Sequence, residues 1–411
     1  MSDEIWIVSA KRTPMGSFQG MLSDFSAPQL GSLAIEAAVN AVAIPMQDID
    51  ETIMGCVLPA GCGQAPARQA ALGAGLPFSV ACTTINKVCG SGMKSVMLAN
   101  DLIKSGSLRC VVAGGMESMT NAPYLLKESR KGMRLGHKTT HDHMFFDGLQ
   151  DAYQGELMGV FAQQSADRFQ FSRTEMDEWA EKSVNLAVTA QEQNLFSDEM
   201  IHDFYLLGED LGEQLIDFDE HPRDIDPTKI STLRPAFTKD GTITAANSSS
   251  IADGAAAVIV INETLARHHG LEPLAIIKGH ATHAREPAEF TLAPVFAVQS
   301  LLSQLDWDIE DVDLWEINEA FAVVTQIAVK QLAIEPSKVN VKGGACALGH
   351  PIGASGTRIL VTLIHSLRQL ALASQKTAPS KAPQVLRGVA SLCIGGGEAT
   401  AIGIEVSVAN S

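Results

Sequence analysis

No two of the seven cysteines stand in a CxxC or CxxH arrangement, so the pairing that commonly holds zinc is missing, and no metal site is expected. Their odd number and wide scatter over 411 residues speak against a disulfide-stapled fold and for a reducing compartment. No run of 18 apolar residues occurs, so no membrane-spanning helix is expected. Cationic residues are in deficit, 30 Lys and Arg against 47 Asp and Glu, for a net charge of −17. Such a balance argues against nucleic acid or an anionic membrane as the main partner, though a local basic patch for an anionic ligand stays open. The acidic opening Met1-Ser2-Asp3-Glu4 has neither the basic nor the apolar region of a leader, and Val408-Ala409-Asn410-Ser411 is not a peroxisomal tripeptide. A soluble, cytoplasmic protein is the expectation. Aromatics are only 5% of the chain while glycines number 34, which favours a tightly packed α/β protein over a β-sandwich.

What is present is alternation. Ile5-Trp6-Ile7-Val8-Ser9 reads as a buried strand, 28–43 as a helix, 53–58 as a strand, 64–74 as a helix and 80–86 as a strand. A helix follows, ending near Gly106, and Cys110-Val111-Val112-Ala113-Gly114-Gly115 is apolar enough to be buried on both faces. The pattern breaks at about 121. Residues 121–245 carry many charges and weak strand periodicity, with one long helical stretch from Tyr153 to Asn194, and read as an insertion over the core. Alternation resumes with a strand at 253–260 and continues from 273, so three parts are expected: 1–120 with 246–272, then 121–245, then 273–411. The polar, proline-bearing stretch 371–388 reads as an exposed loop.

An internal repeat ties the first part to the third. Ser91-Gly92 opens an apolar helix followed by a strand ending Gly114-Gly115; Ser355-Gly356 opens another, followed by a strand ending Gly395-Gly396. Two such halves packed together bring two helix mouths to one place. One mouth carries Cys89, flanked by Gly90 and Gly92. Helix N-termini expose N–H groups and a positive dipole end, so a thiol there is expected to ionise readily. The other mouth is preceded by His350 in a glycine-rich loop, 343–356, too irregular for a phosphate loop but suited to close backbone approach. Cys393 ends a buried strand and Asn318 stands at a strand-to-helix junction. Taken singly, each is explained as well by packing or capping.

Taken together they form an order. Asn86-Lys87-Val88-Cys89-Gly90-Ser91-Gly92, Gly114-Gly115-Met116-Glu117-Ser118-Met119, Asn318-Glu319-Ala320-Phe321, Gly349-His350-Pro351-Ile352-Gly353 and Cys393-Ile394-Gly395-Gly396-Gly397 make the sequence resemble the thiolase family along essentially its whole length. The resemblance implies a five-layered α/β/α/β/α fold of two related halves with an inserted loop domain. It implies reversible Claisen condensation of acyl-CoA units, with coenzyme A and acetyl-CoA as substrates and no permanently bound cofactor. Cys89 would be the acylated nucleophile, His350 its base, and Cys393 the second acid/base. His350 and a water on Asn318 would hold the enolate oxygen, and the N–H groups of Cys89 and Gly395 the other oxyanion. Arg223 (with a one-residue gap) and Ser249 match coenzyme contacts; Leu157, Met158 and Phe321 would border the acyl pocket. Leu157 stands where short-chain members often have histidine, and Lys342 and Cys346 depart from the expected asparagine and apolar residue. Acetyl transfer is the favoured reaction, with thiolysis of longer 3-ketoacyl chains as the nearest alternative and a non-catalytic acyl-CoA-binding protein behind it. Decarboxylating relatives carry histidine where Cys393 stands, which argues against them. A homotetramer, a dimer of dimers, is expected.

Overall fold

The computed structural model describes residues 3–202, 204–208, 212–377 and 385–407. The first half runs β1 (Ile5–Arg12), α1 (Ala27–Asn40), β2 (Glu51–Gly55), α2 (Pro66–Gly73), β3 (Ala81–Ile85), α3 (Ser91–Lys104) and β4 (Cys110–Ser118). The segment that follows contributes α4 (Met158–Phe169) and α5 (Arg173–Glu192), and β5 (Ala252–Asn262) returns the chain to the sheet. The second half runs β6 (Ala275–Ala284), α6 (Ala293–Leu305), β7 (Leu314–Ile317), α7 (Ala322–Leu332), α8 (Ser355–Thr377), β8 (Leu386–Ile394) and β9 (Glu398–Val406).

The two halves obey one wiring rule. The first orders its strands β1-β5-β4-β2-β3 and the second β6-β9-β8-β7, with a parallel bridge from Trp315 to Val339 where β3 has its counterpart. In the first, β1–β5 and β5–β4 are antiparallel while β4–β2 and β2–β3 are parallel; in the second, β6–β9 and β9–β8 are antiparallel while β8–β7 is parallel. A short antiparallel seam, Trp6 opposite Ile276 and Ile7 opposite Ala275, joins them.

Strand alternation then builds the layers. Ile5 and Ile7 point to one side of β1, Trp6 and Val8 to the other, and all four are buried. The inner side meets Met93, Val96 and Met97 of α3 and Ile359, Leu360, Leu363 and Ile364 of α8, which fill the space between the sheets. On the outer sides, Leu30, Ala34 and Ile35 of α1 cover the first sheet, and Val298 and Leu301 of α6 with Val324 and Ile327 of α7 cover the second. The result is the α/β/α/β/α stack. Each buried Leu, Ile or Val removes roughly 1.5–3 kcal/mol worth of apolar surface from water, so the central helices are held from both faces.

Two readings change. The helical stretch 153–194 is two helices, because Gln170 turns left-handed (φ +57°) and Ser172 starts a new helix with a Ser172–Glu175 capping box. The stretch 371–388 is not a loop throughout: α8 continues to Thr377 and β8 begins at Leu386, while 378–384 lie outside the described residues.

The central helices meet through glycine. A Cβ on Gly356 would lie 2.4 Å from the Met93 nitrogen, and one on Gly92 would lie 2.9 Å from the Thr357 nitrogen. Both obstacles are backbone and cannot rotate away. Gly356→Ala is therefore expected to cost at least about 2 kcal/mol. Urea unfolding followed by circular dichroism checks this; a midpoint unchanged from the parent would mean that the crossing yields freely.

Candidate active site

The turn into α3 fixes Cys89. Val88 sits left-handed at φ +46°, a costly conformation for a β-branched residue, and the turn is braced to hold it there. Asn86 Oδ1 accepts the Val88 N–H at 2.9 Å, Ser91 Oγ accepts the Lys87 N–H at 2.8 Å, and the Ser91 hydroxyl donates to the Val88 carbonyl at 2.6 Å. The sulfur of Cys89 is reached by the N–H groups of Gly395 and of Cys89 itself. Gly395 opens the turn between β8 and β9, where Gly396 and Gly397 are left-handed (φ +91° and +89°).

Ionisation of Cys89 goes against the sequence expectation. Burial pushes the thiol up to about 11, and the Gly395 and Cys89 N–H groups offset only part of that. Desolvating an anion outweighs the helix mouth. Cys393 is buried too and is held well above the usual thiol range by burial and by the nearby Cys89. Both sulfurs therefore rest as thiols.

His350 is the neutral base beside them. Burial, and secondarily the Arg358 guanidinium, lower its imidazole to about 3. Its Nδ1 lies 2.5 Å from Ser355 Oγ, its Nε2 lies 3.5 Å from Asn318 Nδ2, and its backbone N–H donates to the Ser250 carbonyl at 2.9 Å. The Ser355 hydroxyl also has the Pro351 carbonyl within 2.9 Å. It can therefore donate to Pro351 while accepting Nδ1–H, leaving Nε2 bare, or donate to Nδ1, leaving Nε2 protonated. Asn318 Oδ1 is buried and has no partner among the described residues.

Two buried carboxylates hold the loops that carry these groups. Glu117 accepts the N–H groups of Val57 (3.0 Å), Leu58 (3.1 Å) and Gly353 (2.8 Å), which ties the loop after β2 to the His350 loop. Burial raises its carboxyl to about 7 against those bonds. Glu319 accepts from Trp179 Nε1 (3.0 Å), Ser183 Oγ (2.8 Å), Asn340 Nδ2 (2.8 Å) and the Cys346 N–H (3.1 Å), which pins α5 onto the Asn318 turn.

A cavity of about 530 Å³ opens over this cluster, and its wall includes Cys89, His350, Cys393 and Gly395. Leu157, Met158, Ser249 and Phe321 line it as well. The Ser249 hydroxyl donates to the Ala320 carbonyl at 3.0 Å, and Phe321 meets Phe237 and Phe290 edge-on, with centroids 5.9 and 6.3 Å apart. Asn318 stands behind the wall, against His350. Arg223 is not brought here: it is exposed, its guanidinium lies 3.4 Å over the Phe218 ring, and it borders a separate cavity with Gln191 and Pro227. Lys342 and Cys346 also stay out of the cavity. Lys342 Nζ is buried against the Leu195 carbonyl at 2.8 Å and Glu199 at 3.5 Å, and Cys346 packs under Glu319.

The sequence reading missed several of these residues. Ser355 was visible as the repeat partner of Ser91, and that equivalence was its signal. His221, hydrogen-bonded to Ser250 at the cavity wall, and Phe237 come from the block with the weakest periodicity.

Comparison with known proteins agrees along the chain. The family model for the thiolase N-terminal domain matches residues 5–264, and that for the thiolase C-terminal domain matches 271–406. Acetyl-CoA acetyltransferase 1 of Arabidopsis thaliana is 44% identical over 403 residues, 98% of this chain and 94% of that protein. The acetyl-CoA acetyltransferase of Schizosaccharomyces pombe is 42% identical over 405 residues, 98% and 99% of the two chains. Acat5 thiolase from Ascaris suum, solved in complex with coenzyme A, superposes with a TM-score of 0.89 at 40% identity, covering 98% of this chain and 100% of that one. The Bacillus anthracis acetyl-CoA acetyltransferase superposes at 0.92 with 37% identity, covering 99% of each.

The thiol state is open to direct measurement. Alkylation of Cys89 by iodoacetamide, followed by the mass of its peptide, should rise about tenfold per pH unit from 7 to 10 without levelling, because the reactive thiolate is a minor species below about 11. A plateau below pH 8 would show that the helix mouth wins over burial.

Proposed function

The chain belongs to the thiolase family, and on that premise we propose that it is an acyltransferase that joins two acetyl-CoA molecules into acetoacetyl-CoA and free coenzyme A, reversibly, through an acetyl-Cys89 intermediate. One observation carries the reading: two thiols and a neutral imidazole share one cavity wall with two N–H groups at the first sulfur.

In the first half-reaction His350 Nε2 takes the Cys89 proton as the sulfur attacks the thioester carbonyl. A low basicity suits this step, since the imidazole is never charged at rest and need hold the proton only during transfer. The N–H groups of Cys89 and Gly395 hold the developing oxyanion. Coenzyme A leaves with the proton from His350, and the acetyl group stays on Cys89. In the second half-reaction the Cys393 thiol first gives its proton to His350 Nε2, and the thiolate so formed removes the α-proton of the next acetyl-CoA. The enolate oxygen is held by Nε2–H of His350 and by a water on Asn318, whose unpartnered Oδ1 fits such a water. The carbanion attacks acetyl-Cys89, the C–S bond breaks to give acetoacetyl-CoA, and the Cys89 thiolate that leaves takes its proton back from His350 Nε2. In each half His350 Nε2 takes a proton and later gives it up, while the Ser355 hydroxyl accepts Nδ1–H and donates to the Pro351 carbonyl.

Residues 121–245 are read as the loop domain over the acyl-CoA, with Ser249, Leu157, Met158 and Phe321 facing the substrate. Arg223 keeps a proposed coenzyme contact only at the outer surface, away from the cavity. The aromatic wall of Phe237, Phe290 and Phe321 favours the short acetyl group over longer chains. A homotetramer is supported by two exposed features. Among the described residues the edge strand β3 pairs with β2 alone, and Phe78, Tyr124 and Leu135 are 84%, 69% and 91% exposed. A cytoplasmic setting is supported by seven free thiols; among the described residues no helix is long and apolar enough to cross a membrane.

Mixing the protein with acetyl-CoA should add one acetyl group to the intact mass and none to Cys89→Ala. Cys393→Ala should still acetylate but condense at least about 100-fold more slowly, since only proton transfer is removed. No adduct on the parent protein would sink covalent catalysis. Ser355→Ala should lower kcat about tenfold or more with little change in KM, because the imidazole loses its tautomer support rather than a substrate contact. For chain length, kcat/KM for acetoacetyl-CoA should exceed that for a medium-chain 3-ketoacyl-CoA; the reverse order would favour the degradative reading.

A further inference from the structure

Outside the catalytic cluster a second thiol pair stands on the loop after β2. Cys56 is buried, with 1% of its surface exposed, whereas Cys62 is only half-buried. The two thiols are near neighbours on one loop, and both side chains pack into the outer core of the first half. Cys56 Sγ also lies 3.7 Å from Glu117 Oε1, and Cys62 Sγ lies 3.8 Å from the Leu58 carbonyl. Between them the chain makes a turn, with the Cys62 N–H on the Pro59 carbonyl at 3.1 Å. Cys62 is flanked by Gly61 and Gly63, both left-handed (φ +82° and +84°), so the backbone on either side tolerates torsions that other residues resist. An accessible thiol, a buried partner near it and a carboxylate against the buried one are the parts a dithiol–disulfide site needs.

We propose that Cys56 and Cys62 form a reversible disulfide by exchange with a low-molecular-weight disulfide. Cys62 thiolate attacks one sulfur of the small disulfide, forms a mixed disulfide and releases one thiolate. Cys56 passes its proton to Glu117, and its sulfur attacks the Cys62 sulfur, closing the bridge and releasing the second thiolate. Two protein thiols lose two electrons, and the small disulfide gains them. The electrostatics agree with the order of attack: the neighbouring Cys56 thiol lowers the Cys62 thiol, while the nearby Cys62 and burial raise Cys56. Burial raises Glu117 to about 7, so it can accept a proton near neutrality.

The bridge also reaches the active site. Glu117 binds Cys56, the Val57 and Leu58 N–H groups and the N–H of Gly353, three residues from His350. Val57 and Leu58 pack with Ile352, and Cys89 packs against the same cluster. Drawing Cys56 from Glu117 to Cys62 therefore loosens the clamp under both the nucleophile and the base. That consequence rests on the proposed acyl transfer; the bridge itself does not.

The test is to incubate the full-length protein with glutathione disulfide, trap free thiols with iodoacetamide and map peptides by mass. A linked Cys56–Cys62 peptide, formed equally in Cys89→Ser and reversed by dithiothreitol, supports the site. Cys62→Ser should form no link, keep reduced-state kcat within about twofold of the parent and escape an at least tenfold fall that the bridge imposes on the parent. The Cys89→Ser arm has no acyl transfer to lose, so failure of the bridge and failure of the reaction are told apart. A lasting glutathione adduct on Cys62 with Cys56 free, or no reaction at either residue, would overturn the proposal.

Discussion

The contact on which the rest depends is the crossing of α3 and α8 at Gly92 and Gly356. Hydrogen in place of a side chain lets two helix N-termini approach to backbone distance at the centre of the molecule. Each helix opens on a serine, and the two serines do related work. Ser91 braces the strained turn that presents Cys89, while Ser355 orients the ring of His350. The approach repeats in the surrounding strands. A Cβ on Gly115 would meet the Gly353 carbonyl oxygen at 2.0 Å, and one on Gly55 would meet the Ser91 carbonyl carbon at 2.7 Å. Cys89 and His350 are therefore set by backbone packing, which tolerates far less adjustment than side chains would.

Buried charge plays a second, graded part. Glu319 is fully surrounded by donors and acts as a mechanical tie between α5 and the Asn318 turn. Arg12 is similarly satisfied, with Glu199 and Asp219 both at 2.6 Å. The pair Glu316–Arg358 is different: both are buried, their closest approach is 3.7 Å, and burial lifts the Glu316 carboxyl to about 8. An unneutralised guanidinium in so dry a place acts at a distance, and His350 is where it is felt. The low basicity of the His350 ring is thus partly a property of α8.

Much of this was legible in the sequence because duplication is a pattern and patterns survive without coordinates. The alternation of strands and helices, the two glycine-opened helices and the strands ending in paired glycines announced two halves facing each other. The stretches around Cys89, Asn318, His350 and Cys393 are short and contiguous, so each could be read as a unit. What failed was whatever depends on surroundings. Cys89 was expected to ionise because a helix mouth is a local feature; its surroundings come from the second half and the α4 region, both far from it along the chain. Arg223 matched a contact by position, but its guanidinium settled on Phe218. The break at Gln170 needed a left-handed residue that is not glycine, and the continuation of α8 ran past the point where polarity resembled a loop. The cavity wall from Phe237 and His221 came from a region whose contacts are tertiary rather than periodic.

The position of β5 carries a consequence for how the protein is made. In the first sheet β5 lies between β1 and β4, yet it is the last of those strands in the chain. Until residues 252–262 leave the ribosome, β1 has no partner on that side and β4 shows an open edge rich in Val and Ala. The whole intervening segment must be synthesised before the gap is filled. The second half repeats the placement, with β9 last in the chain and lying between β6 and β8, but there β9 follows β8 after a three-residue turn, so only β6 waits. Nascent chains therefore pass through a long interval with an unpaired, apolar strand edge, the kind of intermediate that calls for a chaperone. Once Asn262 has emerged the first half has all its strands, before Ala275 opens the first strand of the second.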